Sequence, residues 1–446
     1  MSAMHGISYY DLRHVTGEVT HIDIDNGVVE SAGTSFFNKA ILRVLAGTGW
    51  GVLQIDNYTP CSGRKFDELL KRAERLAVIT EEHVVLGDAP RGQLAVPRPN
   101  EDPRHVSIEE KSALLAEIEK SAILPLVVNR RANYIERIEQ VRFADSSGNE
   151  HFFEMNRSGF NILAVASRNG NVQMGYEREH SIDGFNLRHR QESGKKAAEI
   201  AVALLDATAV KGGKMRAVLD PELAGVFAHE AVGHASEGDL IQEGNSVLGG
   251  RTGERIGNEN LTIVDDPGIH EFGFDPVDAE GVAVTRTEII RRGVINAFLH
   301  SRESLASVGN GIAGHARAMP GEPPLVRMSN TFIESGDSTA EEIFAECKQG
   351  IFLKGSRGGQ VDPGRGVFQF NAEYGYLVED GVCTKMVRDV SLSGDILTTL
   401  NGIVLCGNDR TLSPGYCGKG GQNVPVSDGA PHILLNDAVV GGSGVD

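Results

Sequence analysis

ERIEQVRFADSSGNEHFFEMNRSGFNILAVASRNGN, residues Glu136–Asn171, changes character at every second position. The runs ERIEQVRFA, EHFFEMN and FNILAVASR alternate apolar and polar side chains, the period of a half-buried strand. SSGN, RSG and RNGN separate or follow them and carry turn residues. The segment from about residue 126 therefore reads as an antiparallel meander.

Upstream, FFNKAILRVLAGTGWGVLQIDNY (Phe36–Tyr58) reads as a helix broken at glycine, then a short apolar strand ending at Asp56. Two charged amphipathic helices follow, GRKFDELLKRAERLA and SIEEKSALLAEIEKSA, the second with Ser107 and Glu110 spaced as a capping box. Downstream, an alanine-rich helix is expected from Gly194 to about Thr208, and KGGK at Lys211–Lys214 reads as a linker. GVAVTRTEIIRRGVINAFLH and VRMSNTFIESGD then return to strand and turn signals, interrupted by one helix around AEEIFAECKQG, and the terminal VVGGSGVD reads as a frayed tail. The fold class expected is α+β: an N-terminal α/β domain over 1–210 and a β-rich C-terminal domain over 211–446. A chain of 446 residues is too long for one ordinary core, which agrees with two domains. No repeat of solenoid or propeller length is present.

Composition removes several functions. A formal net charge of −18 with no basic cluster argues against nucleic acid, whose binding needs lysine and arginine to displace counterions. The amino terminus, MSAMHGISYYDLRHV, has no apolar core, and no later run is long enough for a membrane span, so no membrane is expected and the reading is cytoplasmic. Five widely spaced cysteines, an odd number, fit a reducing compartment better than a disulfide framework. SVLGGRTGERIG lacks the strand and helix context of a phosphate loop, so no nucleotide is implied.

The chemistry concentrates in LDPELAGVFAHEAVGHASEGDL, Leu219–Leu240. Asp220, Pro221 and Glu222 are the N-cap, first-position and first-turn residues of a helix. Its interior carries His229, Glu230 and His234 among small and apolar neighbours. Two imidazoles can hold zinc, and a glutamate beside the first can take a proton from the attacking water. In a regular helix, however, residues five apart point about 140° away from each other, against about 40° for residues four apart. The backbone between Glu230 and His234 must therefore be irregular, as a π-bulge or tight turn, with Gly233 easing the distortion. The plainer alternative leaves both histidines as satisfied polar residues near a helix end and Glu230 exposed. A third ligand is available in SPGYCGKGGQNVPVSDGAP, where a glycine-rich turn can bring Cys417 to the same metal, leaving a fourth position open as in catalytic zinc sites. Asp239 and His315 are alternative completing ligands. His315, Tyr416 and Arg365 each offer a donor for an oxyanion. Cys347, Cys383 and Cys406 read as buried inert thiols, and Cys61 as exposed.

HEAVGHASEGD (His229–Asp239), RGGQVDPGRGVFQFNAEYGYLVEDG (Arg357–Gly381) and CGKGGQNVPV (Cys417–Val426) resemble the TldD/PmbA family, in its TldD branch, whose PmbA counterpart lacks the zinc motif. The resemblance implies a metalloprotease with one zinc per chain on His229, His234 and Cys417 and with Glu230 as general base. It further implies cleavage of unfolded or extended peptides inside an enclosed cavity formed by a dimer, either a homodimer or a heterodimer with a PmbA-like zinc-less paralogue. The competing reading is a non-catalytic peptide-binding or assembly partner with a structural zinc.

Overall fold

The computed structural model describes residues 6–80 and 82–443. The first five residues and the last three, including the end of VVGGSGVD, lie outside the described residues.

Long alternating segments in the first 181 residues pair into one antiparallel sheet: β1 (Ile7–Asp25), β2 (Val28–Ala46), β3 (Gly49–Asp56), β4 (Val127–Asp145), β5 (Glu150–Arg168) and β6 (Asn171–Ser181), ordered β3-β2-β1-β4-β5-β6. The meander is present as β4 to β6. Its RSG is not a turn, however, because β5 runs straight through Arg157, Ser158 and Gly159. These residues are turn-like in composition for another reason: the His180 ring on β6 occupies the space a Gly159 side chain would need, and Ser158 Oγ donates to Gly184 O.

FFNKAILRVLA is likewise strand, not helix. Residues 40–46 of β2 are buried on both faces, with Leu42, Val44 and Ala46 against one helix and Arg43 paired with Asp11 on the other side. A doubly buried strand loses its period of two and looks like a short helical run. The glycines that seemed to break a helix admit one instead: α1 (Arg64–Ala77) crosses β3 so closely that a Cβ on Gly51 would lie 1.8 Å from Ala73 O. Helices α2 (Ile108–Ser121) and α3 (Gln191–Leu204) cover the neighbouring part of the same sheet, burying Leu115, Ile118, Ala197 and Ala201 against Ile22, Tyr134 and Phe160. Ser107 caps α2 as expected, but Glu110 binds Arg188 and does not close the box.

The remaining sheets draw on residues from 208 onward. After a two-residue strand, β7 (Thr208–Ala209), KGGK is the start of β8 (Lys211–Leu219) and not a loop. β8 lies inside a ten-stranded sheet, between Gln349–Lys354, parallel, and Ile433–Ser443, antiparallel. The supposed tail Val439–Ser443 belongs to that last strand, where Val440 faces Gly213 and a Cβ on Gly442 would meet Val210 O at 2.1 Å. The paired glycines mark close backbone approach, the alternative meaning of glycine in a strand.

A six-stranded mixed sheet ends in the hairpin Gln422–Ala430 and Thr411–Lys419, the latter an edge strand. Helix α4 (Pro221–Phe227) packs between this sheet and the ten-stranded one. Leu223, Phe227 and Val232 share one apolar core with Ile263 and Val426 on one side and with Phe368, Phe370 and Leu435 on the other. Burial of a phenylalanine such as Phe227 contributes about 1.5–3 kcal/mol. Besides the expected Pro221–Phe227 and Ala340–Cys347, the described residues of the second half form the short helices Gly238–Gln242, Arg302–Val308 and Ile396–Gly402, too brief to show a period in sequence. No described helix is long and apolar enough to cross a membrane.

Candidate metal centre

Asp220 starts α4 by accepting from Leu223 N at 2.9 Å, and it also accepts from Gly355 N, which fixes the helix start to the ten-stranded sheet. The helix then changes pitch, and Ala228–Gly233 is π-helical, with His234 N donating to His229 O five residues back. That turn stacks residues five apart, so the imidazoles of His229 and His234 meet at a centroid separation of 5.4 Å, their planes 89° apart. The irregularity demanded by the spacing is present. Gly233 serves it differently from expectation: its backbone is helical (φ −55°), but a Cβ there would lie 1.8 Å from Met328 Sδ. Glycine is needed for room, not for unusual dihedrals.

The hairpin brings Cys417 to the same place. Its Sγ is 3.4 Å from His234 Nε2, and one donor atom from each of His229, His234 and Cys417 lies within 4.8 Å of the others. Among the described residues this is the one such cluster of possible metal ligands. Zinc bonds of about 2.0–2.3 Å in a tetrahedron place neighbouring ligand atoms about 3.5 Å apart, so the donor set fits a zinc ion in both chemistry and spacing.

Each imidazole has its other nitrogen engaged. His229 Nδ1 lies 2.7 Å from Asp428 Oδ1, as a charge contact off the line of an ideal hydrogen bond, and His234 Nδ1 is 3.1 Å from Glu237 Oε2. Such carboxylates fix ring orientation and raise ligand basicity. Asp428 reaches His229 because α4 touches its strand at Gly225, whose Cβ would otherwise sit 2.7 Å from Gly429 N. Fully buried Glu237 accepts from Lys419 Nζ at 3.0 Å, and Lys419 also reaches Asp239 at 2.7 Å and Val326 O at 3.1 Å. Arg327, with no exposed surface, donates to Cys417 O and to Gln422 O, stapling both ends of the hairpin turn.

These contacts set the protonation states. Burial pushes the Cys417 thiol up, but the His229 and His234 charges outweigh it and bring the thiol down to about 5. Burial lowers His234, yet the Glu237 carboxylate overrides it and raises the imidazole to about 10; for His229, Asp428 likewise outweighs burial. Without metal these charges favour a thiolate beside protonated rings, and metal uptake then has to expel the ring protons. Glu230, its side chain 31% exposed, places Oε2 3.7 Å from His234 Nε2. Its carboxyl is raised by burial, against the lowering effect of His229 and His234.

Of the other sequence candidates, His315 is fully buried 3.8 Å from Asp265, and Asp239 is held by Lys419. Arg365 is exposed in a turn where its N donates to Asp362 Oδ1. Tyr416, next to Cys417 and 52% exposed, packs its ring against Phe272 at 5.4 Å. Cys347 and Cys406 are buried, but Cys383 is exposed, in the outer end of Val382–Arg388 where both faces are exposed, and Cys61 is half-buried. Sequence reading missed the supporting residues. Glu237 and Lys419 stand inside the HASEGD and CGK strings and could have been found there, whereas Asp428 and Arg327 have no local signal.

Lys419→Met leaves Glu237 buried without its ammonium partner, so zinc affinity should fall about 10–100-fold, read by competition with a chromophoric chelator. Unchanged affinity would remove Lys419 from the supporting shell.

Three family models cover the chain in order: PmbA/TldA metallopeptidase domain 1 over residues 10–77, the central domain over 101–205 and the C-terminal domain over 212–442. The chain is 38% identical over 436 residues to a metalloprotease of Archaeoglobus fulgidus, covering 98% of this chain and 100% of that one. It is 33% identical to the zinc metalloprotease TldD homolog of Saccharolobus solfataricus, over 71% of this chain and 72% of that one. In fold it matches a crystal structure from Thermotoga maritima described as a putative modulator of a DNA gyrase, with TM-score 0.81, 21% identity and coverage of 97% and 96%. TldE of Thermococcus kodakarensis matches with TM-score 0.78 at 18% identity, covering 98% and 97%. With all three of its models matched in sequence order and full-length metalloprotease relatives, the chain belongs to the TldD/PmbA metallopeptidase family.

Proposed function

We propose that this chain is a zinc-dependent peptidase that hydrolyses peptide bonds in unfolded or extended peptides, with His229, His234 and Cys417 holding one zinc ion and Glu230 as general base. The observation that carries the reading is the π-helical turn, which brings two imidazoles onto the buried Cys417 Sγ with the part-exposed Glu230 carboxyl beside them. A zinc ion held there supplies a Lewis acid for the scissile carbonyl and for the attacking water. Glu230 takes the proton of that water and passes it to the leaving amine; its raised carboxyl is suited to both roles. Asp428 and Glu237 keep the rings oriented throughout.

Extended substrates are favoured by the sheet edges near the site. Thr411–Lys419, which carries Cys417, and Gly359–Asp362 are each terminal in their sheets, and outside Cys417, whose carbonyl accepts from Arg327, such an edge can pair with a peptide strand. Enclosure of the site by a second subunit, an identical chain or a zinc-less paralogue, would restrict entry to such segments. Five unpaired thiols, Cys417 among them, fit a reducing, cytoplasmic setting.

Elemental analysis of the purified chain should give about one zinc, and cleavage of an unstructured peptide should stop on chelation. Because the ring protons compete with the metal, chelators should strip zinc more readily at pH 5.5 than at pH 8. Stoichiometric zinc without cleavage by the chain alone or with a paralogue would count against catalysis, and rapid cleavage of a compact folded domain would refute the substrate class.

A further inference from the structure

A cavity of about 400 Å³ lies where the second face of the N-terminal sheet meets the C-terminal region, away from α1–α3. Ile135, Val141, Phe143 and Met155 line its sheet side, and Tyr416, the chain neighbour of Cys417, lines the other. Four arginines and three carboxylates also face it: Arg13, Arg137, Arg157 and Arg317 with Glu139, Asp275 and Asp278.

Three of the arginines are already committed. Arg157 and Arg317 both bind Asp275, at 3.0 and 2.7 Å, and donate to the carbonyls of Phe274 and Pro425. Arg137 binds Glu139 at 2.6 Å and lies over the Phe37 ring. Asp278 is saturated by the backbone N–H groups of Glu280, Val282 and Ala316, and burial and then Glu280 push its carboxyl well above the ordinary range. Among the described residues Arg13 has no ion-pair partner, and its hydrogen bond is a long one, 3.4 Å, to Met319 O. Burial pulls its guanidinium below the ordinary value against Glu139 and Asp275, whereas for Arg43, more deeply buried, Asp11 and Glu280 override burial and raise it. Glu139 and Asp275 act on Arg13 from a distance but are paired with other arginines, so among the described residues Arg13 faces the cavity with no counter-charge in contact, a recognition group for an anion.

We propose that this cavity binds the carboxylate of an acid with an apolar body, paired with the Arg13 guanidinium. The carboxylate has two sources, the C-terminus of a peptide lying past Tyr416 or a free small organic acid.

Isothermal titration of the full chain separates them. The probes are an acetylated tri-leucine peptide as free acid, the same peptide as C-terminal amide, and 4-phenylbutyrate. At least one acid should bind, with the amide or Arg13→Gln weakening binding about tenfold or more. Tighter binding of the peptide acid assigns the peptide source, and tighter binding of phenylbutyrate assigns the free acid. Ile135→Trp, which fills the cavity and leaves every arginine in the chain, should block both and serves should Arg13→Gln fold poorly. No binding by either acid, equal binding of acid and amide, or unchanged binding in Ile135→Trp overturns the proposal. Hydrolysis is not read, so the result stands apart from the peptidase reading.

Discussion

Glu230→Gln is expected to keep its zinc and to lose about 10²–10⁴-fold in peptide hydrolysis, the usual contribution of a positioned general base. The amide preserves the volume of the side chain and its place beside His234, where Oε2 now lies 3.7 Å from Nε2. It cannot accept the proton of the attacking water. Because His229, His234 and Cys417 form a complete three-ligand set without Glu230, the metal should remain. Paired measurements of kcat/KM on an unstructured peptide and of zinc content decide the matter. Turnover within a few-fold of the parent would remove Glu230 from the mechanism. Loss of zinc together with activity would make Glu230 a ligand and leave the base unassigned.

What could be read from sequence followed how local the cause was. Asp220 and Ser107 announce their helices because a cap satisfies donors two or three residues ahead. The five-residue spacing of His229 and His234 likewise forced a local conclusion, a helix out of regular pitch, and the π-helical turn is there. Misreadings arose where a residue's reason lay elsewhere in the chain. Residues 40–46 of β2 lost their alternation because separate partners cover both faces. Gly51, Gly159 and Gly442 signalled breaks or tails in sequence, yet each is small because a distant segment crosses it. The site divides in the same way: the ligands belong to recognisable strings, but Asp428 and Arg327 act across long stretches of chain and carry no pattern of their own.

Gly233→Ala pits two effects against each other in the turn that makes the site. Alanine is the better helix former by about 1 kcal/mol, and the helical dihedrals of Gly233 would let it express that preference. Against this, the new Cβ would fall 1.8 Å from Met328 Sδ, and Met328 is fully buried in the central core, so the thioether cannot swing away freely. Overpacking of this kind costs about 1–3 kcal/mol or more, and the clash should win. The relaxation open to the turn is to shift toward regular pitch, which swings His234 away from His229 and Cys417. The expected result is lower stability in denaturant titration together with weaker zinc binding. Gly233→Ala/Met328→Ala, which restores the space, should recover zinc affinity despite the cavity it risks, giving a coupling between the two sites in a double-mutant cycle. A Gly233→Ala variant as stable and as tightly zinc-bound as the parent would mean that Met328 yields, and that the spacing of the histidines, not the packing beneath them, holds the π-helical turn.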